Sequence, residues 1–223
     1  MIQIKFKQHP KDFQYCLAFD LAKLHTGWSF CRWDGDLLTV LETGVIDMTS
    51  EPEETFWLTY SRKLEQIIRE CKVMNPLVLK ERMPMQNGRF SSIGALQALA
   101  QCHAVFDLVI AQFDLSVYDM FGISAISEKA LFRRLIGLEK VEKEDIRHFI
   151  LYHTDNQMPS DVSLDITDSI AVIMTLYQHT AEQDIKERAR ELKRQQKQFK
   201  SAKKLAQLEE ERTAVLSLLE REK

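Results

Sequence analysis

The chain is poor in the residues that mark unusual architectures. Glycine occurs 7 times and proline 5 times in 223 residues, which excludes collagen-like and low-complexity disordered classes. Only four cysteines are present, Cys16, Cys31, Cys71 and Cys102, and none forms a C-x-x-C pair. Zinc-site spacing is therefore missing, and reduced thiols are the expected state. No apolar run reaches the ~18 residues of a membrane span, and no apolar N-terminal segment precedes a small-residue cleavage site. These absences lead us to expect a soluble, cytoplasmic protein with no membrane association.

What is present suits a folded domain with an extension. Hydrophobic residues make up 45% of the chain, enough for a full core. Net charge is -3, and it is unevenly spread. Residues 1–180 hold about 18 basic and 24 acidic side chains, while 181–223 hold about 12 and 9. Between Lys186 and Lys204 about nine basic residues face two acidic ones. An acidic body with a basic arm is compatible with a polyanionic partner without requiring one.

Hydrophobic patterning orders the elements. Tyr15 to Leu21 and Gly27 to Trp33 read as strands, and Asp34-Gly35 is a hairpin signal into a third, Leu37 to Met48. Glu51 to Lys72 takes helical spacing, and Pro76 restarts an extended run, "LVLKERM", that ends near Glu81. Ser91 to Phe113 reads as an apolar helix capped by Ser91 or Ser92. "SVYDMFGISAI" reads as a fifth strand, Ser127 to Thr154 as charged helix, and Val162 to Gln178 as the start of another helix. The expected class is α/β, a mixed five-stranded sheet opened by an antiparallel meander and flanked by helices. Residues 1–180 form this domain. Residues 181–223, with no Gly or Pro and a broken heptad, form a long charged helix, either a coiled coil or a helix folded back on the domain.

Four acids at three places in the chain stand out from solvated surface acids. Asp20 ends the strand "CLAFD", and Glu81 ends "LVLKE". Asp165 and Asp168 lie three apart, on one face at the start of an apolar helix. Each has a purely structural reading: a strand-end turn for Asp20, a pair with Lys80 or Arg82 for Glu81, an N-cap for Asp165. Three core elements each ending in an acid nevertheless suggest convergence at one sheet edge. Such a cluster needs cations to stay ionised. An oxygen-only donor set favours Mg²⁺ or Mn²⁺, and two ions ~3.5–4 Å apart would activate a water and stabilise the leaving oxygen of a phosphodiester.

These stretches, in this order, resemble the RuvC-type Holliday junction resolvases, a branch of the RNase H-like nuclease superfamily, and above all their phage or viral relatives. "FDLAKLHTGWSF" is similar to the family's first-strand motif, "LVLKERM" to the strand ending in its second acid, and "LDITDSIAV" to its Asp-x-x-Asp helix start. The likeness spans residues 14–178. It implies that Asp20, Glu81, Asp165 and Asp168 are catalytic, metal-binding acids, with Asp20 bridging two ions. The implied activity is hydrolysis of branched DNA by a homodimer, leaving a 5′-phosphate and a 3′-hydroxyl. Lys143, in "GLEKVEKEDIRHFI", matches a functional lysine of the family. Lys129, Arg133 and Arg134 lie where another is expected, unless they form a solvated helix face.

Arg89 and Phe90, in "MPMQNGRFSSIGAL", fall in the segment that, by this resemblance, would face the junction and the dimer partner. Arg89 would contact phosphate, and Phe90 would either wedge between bases or staple the next helix. The sequence departs from the family where Ala22 stands in place of a common glycine. Two other readings remain: an actin-like or sugar-kinase ATPase, disfavoured by the lack of a Gly-rich phosphate loop, and a DNA-binding scaffold working through the C-terminal helix.

Overall fold

The computed structural model describes residues 13–34, 37–81, 83, 93–113, 115, 117–119, 125–153, 158, 162–198 and 202–221. The elements are β1 (Tyr15–Asp20), β2 (His25–Asp34), β3 (Leu37–Asp47), α1 (Phe56–Cys71), β4 (Leu77–Lys80), α2 (Ile93–Ile110), β5 (Val117–Asp119), α3 (Ala125–Ile136), α4 (Lys143–His153), α5 (Leu164–Gln198) and α6 (Ala202–Arg221). The sheet order is β3-β2-β1-β4-β5. β1, β2 and β3 pair antiparallel, and β4 runs parallel to both β1 and β5.

Strand alternation decides which helix covers which face. Leu17, Phe19 and Val78 face one way, into a core with Tyr60, Leu64 and Ile68 of α1 and Cys102 and Phe106 of α2. Cys16, Ala18, Leu77 and Leu79 face the other way, against Val172, Ile173 and Leu176 of α5. The remaining side of α5 packs on α3 and α4 through Ile170, Ala171, Phe132, Ile146 and Ile150. The start of α5, up to Leu176, is thus sandwiched between the sheet and the α3–α4 pair.

Several expectations need correction. The stretch expected to be helical from Ser127 to Thr154 is two helices, because Gly137 adopts φ 77 and ends α3, its N–H donating to Arg133 O at 2.9 Å. "SVYDMFGISAI" does not stay extended to its end, since α3 has begun at Ala125. The caps Ser91 and Ser92, and the Asp34-Gly35 turn at Gly35, lie outside the described residues. Among the described residues one helix, α2, is long and apolar enough to cross a membrane by length and composition, where no apolar run of that length was expected. Its Cys102, Phe106, Val109 and Ile110 are buried in the core of the domain.

The chain divides into two compact units, the first ending at Leu176 and the second beginning at Tyr177. The second consists of the rest of α5 and of α6, with Leu192 buried. The charged stretch read as one helix is thus shared between two, with residues 199–201 outside those described.

Candidate functional site

Asp20 is the last residue of β1, and the alternation that sends Cys16 and Ala18 toward α5 sends Asp20 the same way. Glu81 follows β4 with the same parity as Leu77 and Leu79. Its neighbour Lys80 therefore points to the opposite face, where Nζ bonds Asp107 Oδ1 of α2 at 2.5 Å and lies over the Phe106 ring. That arrangement removes the reading of Glu81 as a Lys80 partner; Arg82 lies outside the described residues.

The start of α5 is brought to Asp20 by Gly27. Gly27 pairs with Asp20 in the β1–β2 register. A Cβ on Gly27 would lie only 1.9 Å from the carbonyl oxygen of Asp165, so the first turn of α5 sits directly against this point of β2. Asp165 is not the N-cap. Ser163 fills that role: its hydroxyl accepts from Asp165 N–H at 3.2 Å and donates to Asp165 Oδ2 at 3.0 Å, while its carbonyl accepts from Thr167 N–H. The Asp165 carboxylate is thus a first-turn acid at a helix N-terminus, where the dipole favours negative charge.

The turn between Asp20 and β2 is held by one side chain. Thr26 Oγ1 accepts from Ala22 N–H at 3.1 Å and donates to Ala22 O at 2.8 Å. It also lies 2.8 Å from the hydroxyl of Tyr60 in α1. Sequence reasoning missed this clamp, although Thr26 belongs to the quoted motif.

The acids act on one another. Burial first, then Asp168, Glu81 and Asp165, push the Asp20 carboxyl up to about 7, against the pull of Lys143. Burial also raises Asp168, which is 7% exposed, and outweighs the opposing hydrogen bond and charge of Lys143. Lys143 is the first residue of α4, and its Nζ bonds Asp168 Oδ2 directly. Burial works against its ammonium, but Asp168, Asp20 and Glu128 together hold its pKa above the ordinary lysine value. Asp168 Oδ1 is buried without a hydrogen-bond partner.

Asp20, Glu81, Asp165, Asp168 and Lys143 are therefore brought into one neighbourhood from β1, β4, α5 and α4. Among the described residues no three acid, His or Cys side chains lie close enough to hold one ion by themselves. The cluster is an electrostatic one rather than a closed cage. It still fits a hard divalent ion, because its donors are all carboxylate oxygens, Asp168 Oδ1 is orphaned, and such ions keep several waters.

Of the expected DNA contacts, half-buried Lys129 carries a charge that opposes the rise of the Asp168 carboxyl, behind Lys143. Arg133 and Arg134 are exposed, and Arg133 Nε donates to Lys129 O at 3.3 Å. Arg89 and Phe90 lie outside the described residues. Glu128, which no sequence signal singled out, joins the cluster from α3. Burial, then Glu81, Asp168 and Asp20, push its carboxyl up to about 8.

No family model and no curated protein matches the sequence. Solved structures do match. T. thermophilus RuvC in complex with Holliday junction substrate aligns with TM-score 0.58 at 13% identity, over 73% of this chain and 92% of that one. Thermus thermophilus RuvC alone gives 0.57 at 14%, over 75% and 96%. The yeast mitochondrial Holliday junction resolvase Ydc2 gives 0.54 at 13%, over 80% and 84%. The chain has the RNase H-like fold of these resolvases, the fold that its ordered motifs resemble.

Proposed function

We propose that the chain is a divalent-metal-dependent, structure-selective DNA endonuclease that resolves four-way junctions or related branched DNA by phosphodiester hydrolysis. The observation that carries this reading is the cluster itself. Acids from β1, β4 and α5 meet around a buried, half-satisfied Asp168, on the fold of proteins named as Holliday junction resolvases. Asp20, Glu81, Asp165 and Asp168 would hold Mg²⁺ or Mn²⁺, two ions per site. Bound there, the ions would supply Lewis acidity at the scissile phosphate and would lower the pKa of the attacking water.

The chain's own residues have separable tasks. Gly27 and the Ser163 cap hold the start of α5 against β2, which positions Asp165 and Asp168 relative to Asp20. Lys143, whose side chain is 55% exposed, can reach a phosphate while staying near Asp168. Lys129, Arg133 and Arg134 extend positive charge along α3 toward the DNA, and Arg89 and Phe90 would meet the junction. Exposed Arg188, Arg190 and Lys193 of α5 suit non-specific phosphate contact. A homodimer would present two such sites to opposite strands.

The test is cleavage of labelled four-way, three-way and linear DNA in Mg²⁺ and Mn²⁺. Asp20→Asn and Asp168→Asn should abolish cleavage of branched DNA and keep binding. Full cleavage by either purified variant would overturn the proposal.

A further inference from the structure

The turn that follows Asp20 is fastened to α1, a helix that supplies none of the clustered acids. By strand alternation Thr26 points to the same side of the sheet as Trp28 and Phe30, which pack with α1, whereas Gly27 meets α5. The hydroxyls of Thr26 and Tyr60, both residues 0% exposed, are 2.8 Å apart. Counting protons fixes the direction of this bond. A threonine hydroxyl has one proton and two lone pairs. Ala22 O takes the proton, and Ala22 N–H takes one lone pair. Tyr60 O–H is therefore the donor to Thr26 Oγ1, and with that bond the threonine is fully used. The result is an ordered chain from Tyr60 through Thr26 to Ala22, two residues beyond Asp20, in which each donation polarises the next.

The same helix grips the turn a second time. Phe56, one helical turn before Tyr60 on the same face, lies under the Lys23 ammonium at 5.3 Å. Trp57 packs edge-on against both rings. Leu21 is buried in the α1 core, and Leu24 O accepts from Met48 N–H at 2.9 Å. Burial alone requires that Tyr60 O–H find a partner; the partner it has closes the turn beside Asp20. Thr26 closes that turn on itself, and Tyr60 ties the closed turn to the body of the domain. Asp20 needs the tie, because like-charged Asp168 and Glu81 push against its carboxylate until cations bind. We infer that Tyr60 is a positioning residue for Asp20, acting through the Thr26 hydroxyl from the face of the sheet opposite the acids. This rests on the metal-dependent reading above and adds to it a residue that touches neither substrate nor ion.

The experiment pairs amide hydrogen exchange of the full chain in EDTA with calorimetric titration of Mn²⁺. Tyr60→Phe keeps the ring and removes the donor. It should speed exchange at Ala22 N–H and weaken Mn²⁺ binding, each about tenfold, while exchange in the middle of β1 and β4 stays as in the wild type. Thr26→Val should do more in both readouts, and Thr26→Ser, which keeps the hydroxyl, should restore both. In the Thr26→Val background Tyr60→Phe should weaken Mn²⁺ binding no further, since its path is already cut. Wild-type Mn²⁺ affinity in Tyr60→Phe overturns the inference. Weakened affinity with unchanged exchange at Ala22 also overturns it, as do additive losses in the double variant, because Tyr60 would then act by another route. Exchange that quickens throughout the sheet marks a general loss of stability and overturns it too. So does a Thr26→Ser that behaves like Thr26→Val, since the methyl group and not the hydroxyl would then hold the turn. Asp20→Asn separates the two levels. If it binds Mn²⁺ like the wild type, the metal centre itself is wrong; if it binds weakly while Tyr60→Phe does not, only the role of Tyr60 falls.

Discussion

A Cβ at Gly27 would lie 1.9 Å from the Asp165 carbonyl oxygen and 2.2 Å from its carbon. Both are backbone atoms, so no side chain can swing away to make room. Gly27→Ala must push the start of α5 off β2, separating Asp165 and Asp168 from Asp20. We expect a loss of about 2–3 kcal/mol, in the range of overpacked cores, read by urea unfolding. Wild-type stability would show that α5 is free to shift. The neighbouring Thr26 fixes the turn at Ala22. Its hydroxyl holds Ala22 by both N–H and carbonyl. Among the described residues, Asn75 is the non-glycine with positive φ, so Ala22 keeps an ordinary backbone and the turn stores no strain there.

At the scale of elements, β4 shows how one short strand serves both faces of the sheet. Lys80, 5% exposed, ties the strand to α2 through Asp107, while Glu81 is left on the side of α5. The pair is lopsided, since the Asp107 side chain is 57% exposed. Removing the lysine leaves a solvated carboxylate, whereas removing the aspartate leaves a buried ammonium. Lys80→Met should therefore change stability by less than ~1 kcal/mol, while Asp107→Ala should cost about 3 kcal/mol. Equal losses in denaturant melts would contradict this account. Strand alternation is also what made Asp20 and Glu81 legible in the sequence, because an acid closing an apolar run of fixed parity has a defined face. The Asp165/Asp168 pair was legible from helical spacing. Glu128 was not, since a first-turn acid beside Lys129 looks like any solvated helix start until the burial of Leu131 and Phe132 reveals its face. The break at Gly137 went unread for a similar reason: the periodicity on both sides is helical, and only the positive φ separates α3 from α4.

For the molecule as a whole, the cluster makes stability depend on pH in a direction opposite to that of most paired acids. Asp20 is raised from an ordinary 3.8 to about 7, and Glu128 from 4.5 to about 8. Between about pH 4 and pH 8 the unfolded chain has released these protons while the folded chain still holds part of them. The folded state then binds more protons, so stability falls as pH rises through this window and levels off above it. Asp47 and Glu142 are shifted the other way. Their contribution grows as pH rises through the acidic range and is complete above the ordinary carboxylate pKa, below most of the window. In EDTA, the melting temperature of the wild type should drop between pH 5 and pH 8 by more than that of Asp20→Asn, with the difference on the order of 5 °C. Mg²⁺ or Mn²⁺, binding the ionised acids, should stabilise the wild type more at pH 8 than at pH 5. Parallel pH curves for wild type and Asp20→Asn would mean that Asp20 is not held among like charges, and the electrostatic basis of the centre would fail with it.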